Sequence, residues 1–248
     1  MAVPIDLDRP PVDRGSGVSL WRQIAERIEC EITTGAYPPG SLLPSESELT
    51  ERFGVNRHTV RRSLAVLAEK GLVRSVKGRG SFVEEAPLPY PIGRRVRFSE
   101  NVMAAGRAPR GRLLGVATVV DAEPTRRLGL PARTPLLRIE MVSSANGVPL
   151  SRSTSWFEAA RFAGLEAELQ RTGSVSRAFA AHGIADYARL ETAISARLAD
   201  PAEQELLELP TGRVVLVVEA LNADADGRPI QVQRTRFAAD RVHLVVNS

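Results

Sequence analysis

PSESELTERFGVNRHTVRRSLAVLAEKGLVRSVKGRGSFV, residues Pro44 to Val83, reads as a helix, a four-residue turn, a second helix and a short basic hairpin. Ser45 with Glu48 three residues on forms a capping box, in which each side chain satisfies an orphan backbone donor. Leu49 and Phe53 supply a buried face, and Gly54 supplies a left-handed exit. Asn56 caps the second helix. Val60, Leu64 and Leu67 share one face of that helix, and Gly71 ends it. Leu72–Arg74 and Ser81–Val83 then pair as strands around Lys77-Gly78-Arg79-Gly80.

Between Arg57 and Arg79 seven basic residues stand against one acid, Glu69. Arg57, His58 and Arg61 lie off the apolar stripe at the helix start, where a helix-turn-helix meets base edges in the major groove. Lys77 and Arg79 sit at the tip of the hairpin, placed for the sugar-phosphate backbone or the minor groove. This concentration of charge is the footprint of a DNA reader.

One more helix precedes the segment, about Ser19 to Thr34, with Leu20, Ile24, Ile28 and Ile32 on one stripe. Gly35 and Pro38-Pro39-Gly40 end it. Three helices and a hairpin make a winged helix-turn-helix, expected over residues 17–84, behind an N-terminal tail, 1–16, expected to be disordered.

Whole-chain numbers call for a second domain. The chain has 248 residues, a formal net charge of +4 and one cysteine, Cys30. The small total charge means that the basic excess is local. One cysteine excludes a disulfide framework or a thiolate metal site. The N-terminus lacks the apolar core of a signal peptide, and no run is long enough to cross a bilayer, so the expectation is a cytoplasmic protein with no membrane partner.

Pro87, Pro89 and Pro91 mark an extended linker over 85–91. Beyond it, 92–248 reads as an α+β sheet domain. Strands are expected over 112–120, 136–145, 148–157, 187–196, 213–222 and 229–237, with Asn146-Gly147 and Asp226-Gly227 as tight hairpin turns. Helices are expected over 161–171 and 175–182. Another begins at Asp200-Pro201, where Asp200 and Glu203 complete a capping box. The pattern puts the helices on one side of the sheet.

Tyr37-Pro38-Pro39-Gly40, Leu43-Pro44-Ser45-Glu46, Gly54-Val55, Thr59-Val60-Arg61, Gly71-Leu72-Val73 and Gly78-Arg79-Gly80 together resemble the GntR-type bacterial transcription regulators. The resemblance implies DNA contacts at Asn56, Arg57, His58, Thr59, Arg61, Lys77 and Gly78, to which the hairpin reading adds Arg79. Relatives often carry arginine where this chain has Ser47, so one contact of that pattern is lost. Arg97-Phe98-Ser99-Glu100-Asn101, Asn146-Gly147-Val148-Pro149, Ile194-Ser195-Ala196 and Phe237-Ala238-Ala239-Asp240-Arg241 resemble the effector-sensing UTRA domain of the HutC group, whose fold is similar to chorismate lyase. Val55–Thr59 with Arg97–Ser99 resembles most the group's regulators of phosphonate uptake and breakdown.

That resemblance implies a homodimer on two-fold operator DNA, released by a small anionic effector, phosphonate or phosphate-like. A HutC-group regulator answering to a sugar phosphate or an amino-acid catabolite is the alternative. From the residues, Ser99 reads as the cap of a helix whose free amides would meet an anion, and Arg97 as a charged donor beside it. From the resemblance, Phe98, Asn101, Ser143, Ser153 and Ser174 join the effector site. Relatives often have arginine at Ser143, and Glu-Tyr at Gln231-Val232, which removes a carboxylate and a phenol from the expected pocket.

A chorismate-lyase-like enzyme is the distant alternative. His58, His182 and His243 are scattered and show no metal-ligand spacing. No nucleophile elbow or phosphate-binding loop is present. No catalytic residue, metal or cofactor is expected.

Overall fold

The computed structural model describes residues 12–246 except Lys77, and the chain divides into two compact units between Ala86 and Pro87. In the first unit α1 spans Leu20–Thr33, α2 Glu46–Phe53 and α3 Arg57–Glu69, followed by β1, Val73–Val76, and β2, Gly80–Val83. The expected caps form. Ser45 and Glu48 make a reciprocal capping box, Gly54 is left-handed at φ 61°, and the Asn56 side chain accepts from Thr59 N.

Ile24, Leu49, Val60 and Leu67 are fully buried where the three helices meet, with Ile28, Phe53 and Leu64 beside them. Each such side chain contributes about 1.5–3 kcal/mol on burial. Glu31, 5% exposed, draws Arg27 and Arg52 onto the helix packing. Arg62 stacks on Trp21 at 4.7 Å, so this cation braces α1 against α3. The expected disordered tail is tied down in part. The Asp13 backbone N donates to Gln23 Oε1, and Gln23 Nε2 donates to Asp13 O, Ser16 Oγ and Val18 O. Residues 1–11 lie outside the described residues.

The second unit begins with β3, Leu88–Ile92, then α4, Phe98–Ala104; β4, Pro109–Val119; and α5, Ala122–Arg127. It continues through β5, Leu136–Ala145; β6, Val148–Glu158; α6, Leu165–Thr172; and α7, Val175–Ala181. Last come β7, Tyr187–Leu198; α8, Pro201–Leu206; β8, Val214–Asp224; β9, Pro229–Ala238; and β10, Val242–Val246. Six strands form one antiparallel sheet in the order β4-β5-β6-β9-β8-β7.

The prolines of 85–91 do impose an extended backbone. Yet most of that stretch is strand β3, paired in parallel with β10 instead of spanning free. Arg241 secures the entry to β10 by donating to the carbonyls of Pro149, Leu207 and Glu208.

Helices cover both faces of the sheet, which corrects the one-sided expectation. On one face Leu137, Ile139 and Phe157 pack with Leu165, Leu169 and Phe179 of α6 and α7. On the other, Val215, Val217 and Ala238 pack with Leu207, and Trp156 and Val232 pack with Leu128. The short α5 was not visible as a period in the sequence. Helix α6 starts at Leu165 and not near Arg161, whose guanidinium instead pairs with Asp224 at 2.6 Å.

Candidate functional site

The first unit presents a basic surface at the start of α3. Arg57, 62% exposed at its side chain, and Arg61, 57% exposed, both pair with Glu46, at 2.8 and 2.9 Å. Burial acts to raise the Glu46 pKa, but the hydrogen bonds from Arg61 and Arg57 outweigh it and hold the carboxyl below its ordinary value. Glu46 thus fixes where two cations stand. His58 is exposed beside them. Asn56 Oδ1 is used twice, accepting from Thr59 N and Thr59 Oγ1, so its acceptor serves the cap.

A groove between α2, α3 and the hairpin is lined by Ser45, Glu46, Ser47, Arg57, Arg61 and Gly78 among others. At the hairpin, Gly78 takes φ 75° and Gly80 φ 104°, conformations that make the tip sharp. The Arg79 guanidinium sits 5.7 Å from the Phe82 ring centroid and that of Arg74 4.7 Å from it. Lys77 falls outside the described residues.

The second unit holds a cavity of about 80 Å³ on the face of the sheet that carries α6 and α7. Phe98, Ser99, Ser143, Ser153 and Ser174 all line it, drawn from α4, β5, β6 and the start of α7. Alternation explains this convergence. Ser151, Ser153, Ser155 and Phe157 of β6 point to one face, while Arg152, Thr154 and Trp156 point to the other. Ser174 caps α7 by accepting from Arg177 N. Gly111 of β4 lets the loop before α7 close onto it, since a Cβ there would lie 2.1 Å from the Gly173 carbonyl oxygen.

Two expected members are not in the wall. Arg97 is 9% exposed and committed elsewhere. Its Nη2 donates to Asp186 Oδ1 at 3.1 Å and Tyr187 O at 2.7 Å, and its guanidinium lies 3.4 Å from the centroid of the Tyr187 ring. Asn101 reaches toward the Pro91 carbonyl, at 3.5 Å, and its side chain hydrogen-bonds the Tyr90 hydroxyl behind the wall. The capping role expected of Ser99 is also overturned. Helix α4 begins at Phe98 with Arg97 at the cap position and no side-chain cap bond. Val232 faces the opposite side of the sheet with Trp156, so of the Gln231-Val232 pair only Gln231 shapes the cavity.

The cation in the wall is Arg189, which the sequence reading missed. It faces the cavity because it pairs with Asn222 just before a bulge at Leu190 that re-phases the rest of β7. Its Nε and Nη1 are buried without a hydrogen-bond partner. Burial depresses its pKa most, while Tyr90 and Tyr187 act to raise it and Arg97 to lower it. Around it stand neutral hydrogen-bonding groups. Asn222 Nδ2 donates to Gln231 Oε1 at 2.7 Å, and Gln231 Nε2 donates to Ser155 Oγ at 2.9 Å. Burial raises the pKa of Tyr90 and of Tyr187, so both phenols keep their protons.

This pairing of a basic reading head with a polar, hydroxyl-lined cavity defines a ligand-sensing DNA-binding regulator. The family comparisons agree at both ends of the chain. Residues 20–83 match the bacterial regulatory proteins of the gntR family, and residues 104–243 match the UTRA domain. An HTH-type transcriptional regulator of Rhizobium meliloti is 48% identical over 96% of this chain and 98% of its own length. The transcriptional regulator PhnF of Escherichia coli is 31% identical over 91% of this chain and 94% of its own. The crystal structure of PhnF from Mycobacterium smegmatis superposes with a TM-score of 0.62 at 25% identity, covering 90% of this chain and 98% of that one. The chain belongs to the GntR family of bacterial transcription regulators, with a UTRA domain as its second unit. Like its relatives it is a regulator and not an enzyme.

Among the described residues no cluster of His, Cys, Asp or Glu is arranged to hold a metal ion, and no helix is long and apolar enough to cross a membrane.

Proposed function

We propose that two copies of this chain pair on a two-fold operator, repress the adjacent genes, and let go when a small oxyanion of the phosphonate class enters the UTRA cavity. The observation that carries the reading is the wiring of the chain. Tyr90, in the cavity wall, lies on β3, the first element after the boundary at Ala86–Pro87. A ligand touching Tyr90 acts on the strand that leads directly from the DNA-reading unit. Binding energy spent on moving or stiffening that strand is then available to change operator affinity. By reciprocity, operator DNA weakens effector binding by the same factor.

Asn56, Arg57, His58, Thr59, Arg61, Lys77, Gly78 and Arg79 are the proposed DNA contacts. Phe98, Ser99, Ser143, Ser153 and Ser174 are the proposed effector contacts. Phosphonate chemistry is favoured by the resemblance carried by Val55–Thr59 and Arg97–Ser99 and by an arginine-bearing, hydroxyl-rich wall. A sugar phosphate or amino-acid catabolite is the competing effector. The test is selection of genomic DNA fragments by the protein, followed by release of the selected fragment with 2-aminoethylphosphonate, methylphosphonate, glucose 6-phosphate and urocanate. Release by the phosphonates alone supports the proposal, and release by another member alone replaces the effector.

A further inference from the structure

We infer that Arg189 is the charge anchor of the cavity, and that the site accepts one small tetrahedral oxyanion with a short substituent. This rests on the proposed reading of the cavity as the effector site. Three observations lead to it independently of the resemblance, which does not include Arg189.

First, Arg189 is the cation of the wall that is not already spoken for. Arg97 shares Asp186 with Arg95 and is stacked on Tyr187. Among the described residues Arg189 has no ion pair, and two of its nitrogens are sealed from solvent without an acceptor. A guanidinium carries five donors and is not neutralised in proteins, so burying it without an acceptor leaves a standing cost. An arriving anion removes that cost and gains charge-assisted hydrogen bonds.

Second, the wall is neutral where a counter-charge would otherwise sit. Asn222 is opposite Arg189 in the β7–β8 register, and Gln231 is opposite Asn222 in the β8–β9 register. Both side chains are amides bound to one another. Of nearby carboxylates, Asp186 is shared by two arginines, and Glu100 acts on Tyr187 without pairing with Arg189. Nothing in this ladder competes with an incoming anion.

Third, the volume limits the guest. About 80 Å³ holds roughly five to eight waters at the ~10–15 Å³ that each requires. That suits a phosphonate head with up to about three further heavy atoms better than a hexose phosphate.

Isothermal titration of the full chain with methylphosphonate, 2-aminoethylphosphonate, inorganic phosphate and glucose 6-phosphate tests this, with melting temperature recorded for every variant. Wild type binds the small oxyanions and not glucose 6-phosphate. Arg189→Met weakens that binding by about tenfold to a hundredfold, the loss expected of a charged hydrogen bond at ~1.5–3 kcal/mol. Its ligand-free melting temperature stays level or rises, because a buried unpaired charge has gone. Arg189→Lys keeps part of the affinity. Gln231→Glu, which puts a carboxylate into the ladder, weakens binding as Arg189→Met does.

If wild type binds these oxyanions and Arg189→Met binds them equally well, the anchor is elsewhere and only this inference fails. A fall of several degrees in the ligand-free Arg189→Met protein would make Arg189 a structural residue and overturn it too. If wild type binds none of the oxyanions, the anionic reading of the cavity falls and takes the inference with it.

Discussion

Glu46 fixes where Arg57 and Arg61, two of the proposed DNA contacts, stand. Both guanidinium groups are exposed enough to reach a duplex, yet each is pre-placed by one carboxylate. Arg57→Ala or Arg61→Ala should cost about 1–3 kcal/mol of discrimination between operator and random DNA if each makes a bidentate base contact. Binding assays on matched and scrambled fragments measure this, and unchanged discrimination in both variants would place the reading helix elsewhere. Glu46→Gln should do something different. It removes a negative charge from the surface, so affinity for any DNA rises while preference for the operator narrows. Because the folded carboxyl titrates below its ordinary value, its pairing contributes above the unfolded pKa and is lost as pH falls through the depressed one.

Arg97 illustrates how a motif is legible while its role is not. Its type and position suggested an anion ligand, but a side chain 10% exposed and joined to Asp186 and Tyr187 is part of the packing. Arg97→Ala should therefore destabilise the folded chain by about 1–3 kcal/mol, from a lost charged hydrogen bond to a buried carbonyl. Thermal denaturation checks it. A melting temperature equal to wild type, with effector response gone, would restore the ligand role.

At the scale of elements, the caps and hairpin turns were readable because they are local chemistry. Ser45 with Glu48, Asn56, Asp200 with Glu203, and Asn146-Gly147 each announce a boundary within four residues. Strand β5 matches its expected span to the residue, and the other long strands differ by a few residues at their ends. What escaped depends on distant partners. Strand β3 is held by β10, some 150 residues away in sequence, so its prolines looked like linker. The bulge at Leu190 turns Arg189 into the cavity, and no sequence period reports a bulge.

Packing between elements gives a further prediction. Gly111 of β4 lies against the Gly173 carbonyl, and the residue after Gly173 is Ser174 in the cavity wall. Gly111→Ala forces that loop outward, since the new Cβ would meet backbone at 2.1 Å. It should lower effector affinity in calorimetry while leaving the first unit's DNA affinity intact. Wild-type effector affinity in this variant would show that the loop can yield without disturbing Ser174.

On the hairpin, Arg79→Ala should weaken binding to all sequences alike. It should reduce the salt slope by about 0.9, the share of one phosphate contact. An unchanged slope would remove Arg79 from the DNA surface.

In the molecule as a whole, two units of different chemistry follow one another along the chain, the second beginning with strand β3. The first carries a charged helix start and hairpin, the proposed DNA surface; the second encloses a polar cavity beside an arginine two of whose nitrogens are buried without a hydrogen-bond partner. Their combination was visible early because the basic residues cluster in one stretch while net charge stays near balance. The identity of the anchoring cation was not visible, because it depends on which of several arginines the fold leaves without a partner. The central claim is that occupancy of the cavity changes grip on DNA. Fluorescence anisotropy of a labelled, protein-selected operator fragment, titrated with 2-aminoethylphosphonate at fixed salt, tests it most directly. The account predicts that saturating ligand weakens operator binding by roughly fivefold or more, the lower end of typical coupling between sites. Operator affinity that stays constant while the ligand demonstrably binds the same protein would contradict it.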